Sequence, residues 1–126
     1  MGSGTGNTIL PLYERFKESM DFYACDFSPN AIDLLNKQGI CKRAFTKDLV
    51  KEEIEEVEAN SLDFVTMIFM LSAIHPDEQQ KVIKKLALKL KQGGHILFRD
   101  YGAYDLAMMR FIRKKKGLVD LGRMVF

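Results

Sequence analysis

Six residues constrain the fold of this chain more than any others. Gly2, Ser3, Gly4, Thr5, Gly6 and Asn7 form a glycine-spaced run that opens directly into a helical pattern. Glycine tolerates positive φ and lets the backbone approach another group closely, while the start of the following helix favours electronegative atoms. A short apolar run then ends at Asp26, about 20 positions on, the offset at which a strand-terminal carboxylate grips ribose hydroxyls. Loop and carboxylate together predict half of a nucleoside-cofactor site. Only Met1 precedes the loop, so the strand expected to lead into it is missing and the chain reads as a fragment. A Met-Gly-Ser-Gly start also resembles a cloning linker. Asn7, the helix and the placing of Asp26 favour the loop. The third glycine follows the second by two residues rather than three, which argues against a nicotinamide or flavin cofactor.

The chain has 126 residues, enough for one small domain with a modest core. At 47% hydrophobic and 29% charged it has the make-up of a globular protein, which argues against a disordered or low-complexity class. A net charge of +2 names no polyanionic partner by itself, but charge is uneven along the chain: residues 51–58 are acidic and residues 110–116 basic. Cys25 and Cys41 lack the spacing of a zinc site or a disulfide framework, so neither is expected and no metal is assigned. Neither a membrane span nor a signal-peptide pattern stands out. The default compartment is the cytoplasm, with nucleus and mitochondrion left open.

Strand and helix alternate. Helical spacing over residues 8–17, with Pro11 in the first turn, precedes a buried strand over 21–26. Ser28, Pro29 and Gly39 punctuate a second helix as N-cap, first residue and stop. A weaker strand over 40–45 ends near Asp48, and residues 51–58 suggest a surface helix or loop with few apolar anchors. The near-continuous apolar run over 62–71 is the strongest strand and is expected to be central. An amphipathic helix over 77–90 should stop at Gln92-Gly93-Gly94, before a strand over 95–98. Such alternation predicts an α/β fold with a partial parallel sheet and flanking helices. Residues 106–111 suggest a last helix.

Four segments carry a more specific likeness: residues 2–7, Cys25-Asp26-Phe27-Ser28, the run from Ile68 to Pro76, and Leu97-Phe98-Arg99-Asp100-Tyr101-Gly102-Ala103-Tyr104-Asp105. In this order they resemble the class I S-adenosylmethionine-dependent methyltransferases that make 3-methylcytidine in the anticodon loop of tRNA. The glycine loop is shared widely among such enzymes; the Arg-Asp-Tyr-Gly run is far more specific. The resemblance covers nearly all of residues 2–111. It implies a Rossmann-like fold with its first strand missing, a single partial domain over 1–126, a cofactor-binding half over 1–76 and substrate-side elements over 77–126.

The same resemblance implies roles. Gly2, Gly4 and Gly6 would lie against the methionine part of S-adenosylmethionine, Asp26 on the ribose, Asp48 with Leu49 at the adenine amine, and Ile68 facing the cofactor. Asp100 or Asp105 would offset charge on the methylated base, Arg99, Tyr101 and Tyr104 would hold the base, and Arg110, Arg113 and Lys114 would meet tRNA phosphates, with Lys115 and Lys116 in the same basic patch. Plainer readings stand beside these: core packing for Ile68, a solvated turn for Asp48, strand and helix capping for Asp100 and Asp105, a surface loop for the tyrosines, and a hydrogen-bonded turn for His75. An accessory tRNA-binding protein, such as a synthetase, is left open as a partner, and a non-catalytic remnant or interaction module is the rival to an enzyme. The chain departs from the family in having Ser3 where cysteine is usual and Lys91-Gln92-Gly93 where Lys-Pro-Gly is usual. With the first strand missing, each half of the sheet is expected to show an unpaired inner edge, giving marginal stability and weak cofactor binding.

Overall fold

The computed structural model describes residues 1–102 and 104–114, with side chains through Arg110. Helix α1, Ile9–Phe16, follows the glycine loop and takes Pro11 in its first turn, where a missing N–H costs nothing. Strand β1, Tyr23–Asp26, pairs in parallel with β2, Arg43–Thr46, in a register that sets Asp26 beside Thr46. Between them runs α2, Pro29–Gln38. Its ends are as the sequence predicts: Ser28 Oγ accepts from the Ala31 amide, Pro29 starts the helix and Gly39 ends it at φ +65°.

Strand β3, Leu62–Ile68, pairs in parallel with β4, Leu90–Arg99, through α3, Pro76–Ala87; α4 is Leu106–Lys114. Three expectations need correction. The strand expected over 62–71 ends at Ile68, because Phe69 turns to φ +51° and a 3-10 turn follows over Leu71–Ala73. The helix expected over 77–90 stops at Ala87, and β4 begins at Leu90, before the glycines. Gly93 and Gly94 sit within β4 at a register irregularity, and a Cβ on Gly94 would come 3.1 Å from the carbonyl oxygens of Leu62 and Asp63. They allow a bulge and a close backbone approach rather than a helix stop. Residues 51–58 form an irregular loop, and its apolar residues are true anchors: Ile54 and Val57 are buried in the core.

Among the described residues the strands form two separate pairs, β1-β2 and β3-β4, each with the unpaired inner edge expected from the sequence. The gap is not bare. The Met1 nitrogen donates to the Thr66 carbonyl at 2.9 Å, and the Ser3 amide donates to the Cys25 carbonyl at 3.0 Å, so the entrance to the glycine loop touches both inner edges. One core joins the halves: Cys25 and Phe45 from the first pair meet Val65 and Met67 from the second, closed by Val82 and Leu86 of α3 and by Leu49, Ile54 and Val57. Ile9, Leu35 and Ile40 pack on Ala24, on the other face of β1. Each fully buried large aliphatic side chain contributes roughly 1.5–3 kcal/mol. On the second face of β3-β4, Phe64 and Leu97 are about half exposed among the described residues.

Candidate functional site

The carboxyl ends of all four strands lie along one edge, the place where open α/β sheets bind ligands. The glycine loop stands at that edge. All three of its glycines have positive φ, of +62°, +51° and +96° for Gly2, Gly4 and Gly6. Their surroundings differ. A Cβ on Gly2 would come 2.7 Å from Met70 Cγ, and one on Gly6 would come 2.5 Å from Leu35 Cδ1. Gly2 and Gly6 are therefore required by packing. Gly4 has nothing within 4 Å of its would-be Cβ, so its backbone faces open space.

Asp26 closes the loop from the end of β1. Its Oδ2 accepts from the Gly4 amide at 2.7 Å and its Oδ1 from the Ser28 amide at 2.9 Å. The carboxylate thus ties the glycine loop to the start of α2, and its remaining lone pairs are free for a diol. Below it, burial pushes the Cys25 thiol up to about 12, which makes it inert at neutral pH.

At the next strand end the Lys47 amide donates to the Asp26 carbonyl, placing Asp48 beside the same edge. Asp48 Oδ1 accepts from the Val50 and Lys51 amides, and the Asp48 amide donates to Glu52 Oε1, a reciprocal cap on the turn. Desolvation works to raise the Asp48 pKa, but the Val50 and Lys51 amides and the Lys51 ammonium outweigh it and leave the group below the ordinary value. Leu49 is buried in the core. Its side chain is thus structural, and its backbone is what it can offer a ligand.

Ile68 ends β3, half-buried and paired with Arg99. The Phe69 amide donates to the Arg99 carbonyl, the Arg99 guanidinium carbon lies 5.4 Å from the Phe69 ring centroid, and the Phe69 and Tyr101 rings are 5.1 Å apart. Phe69 was not among the site residues expected from sequence. Its signal is structural: a bulky non-glycine residue at φ +51° is an outlier that persists only where its surroundings hold it. Tyr104 stands outside this cluster at 81% exposure, also with positive φ.

Asp100 Oδ2 accepts from the Ser72 amide and Oδ1 from the Tyr101 amide, which ties the end of β4 to the turn after β3. Desolvation again works to raise its pKa, and hydrogen bonds from Ser72, Tyr101 and Leu71 prevail, holding it below the ordinary carboxylate value. Asp105 caps α4 by accepting from the Met108 amide at 2.7 Å, and accepts from Gly102 as well. The capping readings of both carboxylates are therefore real, whatever else these groups do. His75 caps α3 with Nδ1 at a long 3.4 Å from the Asp77 amide. Arg110 is exposed on α4, whereas the side chains of Arg113 and Lys114, with Lys115 and Lys116, lie outside the described residues.

Glycine loop, Asp26, Asp48 and Ile68 thus share one rim, with Met70 packed on Gly2 to link the β3 end to the loop. A hollow of about 500 Å³ lined by Tyr23, Arg43 and Glu58 sits at the opposite end, where β1 and β2 begin. It carries none of the residues expected from sequence.

Residues 1–96 match a family described as a methyltransferase domain. The tRNA N(3)-cytidine methyltransferase METTL6 of Homo sapiens is 42% identical over 121 residues, which cover 91% of this chain and 42% of that protein. O-methyltransferase 3 of Dictyostelium discoideum is 40% identical over 126 residues, covering 95% of this chain and 29% of that protein. The chain therefore spans well under half the length of these curated relatives. Among solved structures, an S-adenosylmethionine-dependent methyltransferase from Clostridium acetobutylicum superposes with a TM-score of 0.69 at 24% identity, over 86% of this chain and 44% of that one.

Proposed function

Because the chain belongs to the methyltransferase-domain family, we propose that it forms the cofactor-binding part of an S-adenosylmethionine-dependent enzyme that methylates N3 of cytidine in the anticodon loop of tRNA. The observation that carries the cofactor part is the Gly4 amide, held 2.7 Å from Asp26 while its backbone faces open space. Open backbone at Gly4, next to a carboxylate with spare lone pairs, fits the amino-acid and ribose ends of S-adenosylmethionine. When bound, that group supplies an electrophilic methyl on a sulfonium.

The residues of this chain do the rest. Gly2, Gly4 and Gly6 line the methionine end with backbone, Asp26 takes the ribose hydroxyls, Asp48 and the Leu49 backbone meet the adenine amine, and Ile68 closes the apolar side. Cytosine N3 carries a lone pair at neutral pH, so it could accept a methyl group without a base to remove a proton first. Orientation is then the main source of rate, worth roughly 7–11 kcal/mol when reacting atoms are held in line. The ring gains positive charge. Asp100, held below its ordinary carboxylate value by its amide donors, and Asp105 offset that charge. Arg99 and Tyr101, with Phe69 between them, offer planar surfaces on which an unstacked base can rest, and Tyr104 extends them. Arg110, Arg113 and Lys114 supply phosphate contacts.

The tRNA substrate rests on the name of the human relative. A tRNA-binding accessory protein and a cytoplasmic workplace belong to the same reading. The name of the Dictyostelium relative favours a second one, in which the acceptor atom is an oxygen. Methyl transfer to an anticodon stem-loop, followed by nucleoside mass spectrometry, separates the two. We expect 3-methylcytidine, lost when the target cytidine is changed to uridine. Transfer only to a small hydroxylated acceptor, with RNA left unmodified, would overturn the tRNA assignment.

A further inference from the structure

The turn after β2 is gripped by a side chain that the reaction itself does not use. Lys85, on α3, is only 8% exposed, while its neighbours Lys81 and Lys84 point to solvent. Its ammonium donates to the carbonyls of Glu52 at 2.7 Å, Leu49 at 3.3 Å and Val50 at 3.5 Å, and lies 3.1 Å from Oε1 of Glu53. An ammonium has three protons, and burying it is costly unless they are met. Here one turn meets them all.

The amides of the same turn are held from its other side, since Asp48 accepts from Val50 and Lys51. Residues 48–52 are therefore fixed at both poles of their peptide groups, by Asp48 on the amides and by Lys85 on the carbonyls. Further along, Lys47 pairs with Glu56 at 2.7 Å, and Ile54 is buried. The turn has one helical bond of its own, from the Glu52 amide to the Asp48 carbonyl at 2.8 Å, and these side chains hold it against the sheet edge.

We propose that Lys85 is the positioning residue for the adenine end of the cofactor site, setting the turn through which Asp48 and Leu49 meet the base. This rests on the cofactor reading given above. Its consequence is selectivity. If Lys85 sets how Asp48 faces the exocyclic amine, its loss removes discrimination by that amine before it removes affinity for the nucleoside as a whole.

The test is calorimetric titration of the 126-residue chain with S-adenosylhomocysteine and with its inosine counterpart, in which a carbonyl replaces the amine. We expect about a tenfold preference for the adenosine form, one hydrogen bond's worth, in the wild type. Lys85→Met should erase that preference and Lys85→Arg should keep it. Weakening of both ligands by the same factor in Lys85→Met, preference intact, overturns the proposal. If Lys85→Met does not fold, Lys85→Gln replaces it in the same comparison with Lys85→Arg. A wild type that binds neither ligand means the cofactor reading has failed on its own. Amide exchange then decides the grip: faster exchange at Val50, Lys51 and Glu52 in Lys85→Met, with Val65 unchanged, supports it, and equal rates at all four overturn it.

Discussion

Gly4 and Gly6 share a backbone habit but not a task, and two substitutions separate them. An alanine at either position bears the left-handed φ, at roughly 1–2 kcal/mol. At Gly6 the new methyl would also meet Leu35 at 2.5 Å, adding an overpacking cost of roughly 1–3 kcal/mol. Gly6→Ala should therefore lower the thermal midpoint more than Gly4→Ala, while Gly4→Ala should remove nucleoside binding with the smaller loss of stability. Equal midpoints would contradict the packing argument. The glycines and Asp26 were legible in the sequence because a positive φ and a strand-terminal carboxylate need particular residue types. What could not be read was which glycine faces a ligand, since that depends on Leu35 and Met70, remote in the chain.

At the scale of elements, Asp100 joins β4 to the turn after β3, and its pH dependence follows from its hydrogen bonds. A carboxyl held below its ordinary 3.8 contributes stability that is fully present above that value and is lost as pH falls through the lower folded value. Asp48 and Glu56 shift in the same direction; for Glu56 desolvation opposes and the Lys47 ammonium prevails. The thermal midpoint should hold steady from neutral pH down to about 5 and then drop. In Asp100→Asn the midpoint at pH 7 should be lower and the acid drop shallower. An unchanged acid limb would assign the loss to other groups. Helix α2 was readable to the residue, because Ser28, Pro29 and Gly39 act locally. The start of β4 was not. Gly93-Gly94 reads as a helix stop, whereas pairing with β3 draws them into the strand as a bulge. Residues 51–58 were misjudged for a related reason: two apolar side chains in an acidic stretch seem too few to anchor it, yet Ile54 and Val57 are both buried, and Lys85 holds the carbonyls between them and β2.

Across the whole molecule the two strand pairs are held by a shared core and by the Met1–Ser3 contacts. The Thr66 carbonyl faces the gap, where the Met1 nitrogen reaches it, while the Phe69 amide faces β4; residues between alternate. Amide exchange at Thr66 should therefore be at least about tenfold faster than at Val65 and Met67, which point to β4. Equal protection would mean that the inner edge is better paired than these contacts allow. The unpaired inner edges were legible in the sequence, but the way Met1 and Ser3 touch both of them was not, because it needs the two halves in place. The loop and Asp26 together form one nucleoside site at that gap, and every role assigned above follows from it. Calorimetry of the chain with S-adenosylhomocysteine tests this most directly: we expect saturable one-to-one binding that disappears in Asp26→Ala, a variant that loses the Gly4 and Ser28 hydrogen bonds at roughly 1–3 kcal/mol and whose folding is checked alongside by circular dichroism. Binding of equal strength in wild type and Asp26→Ala, or none in either, would contradict it.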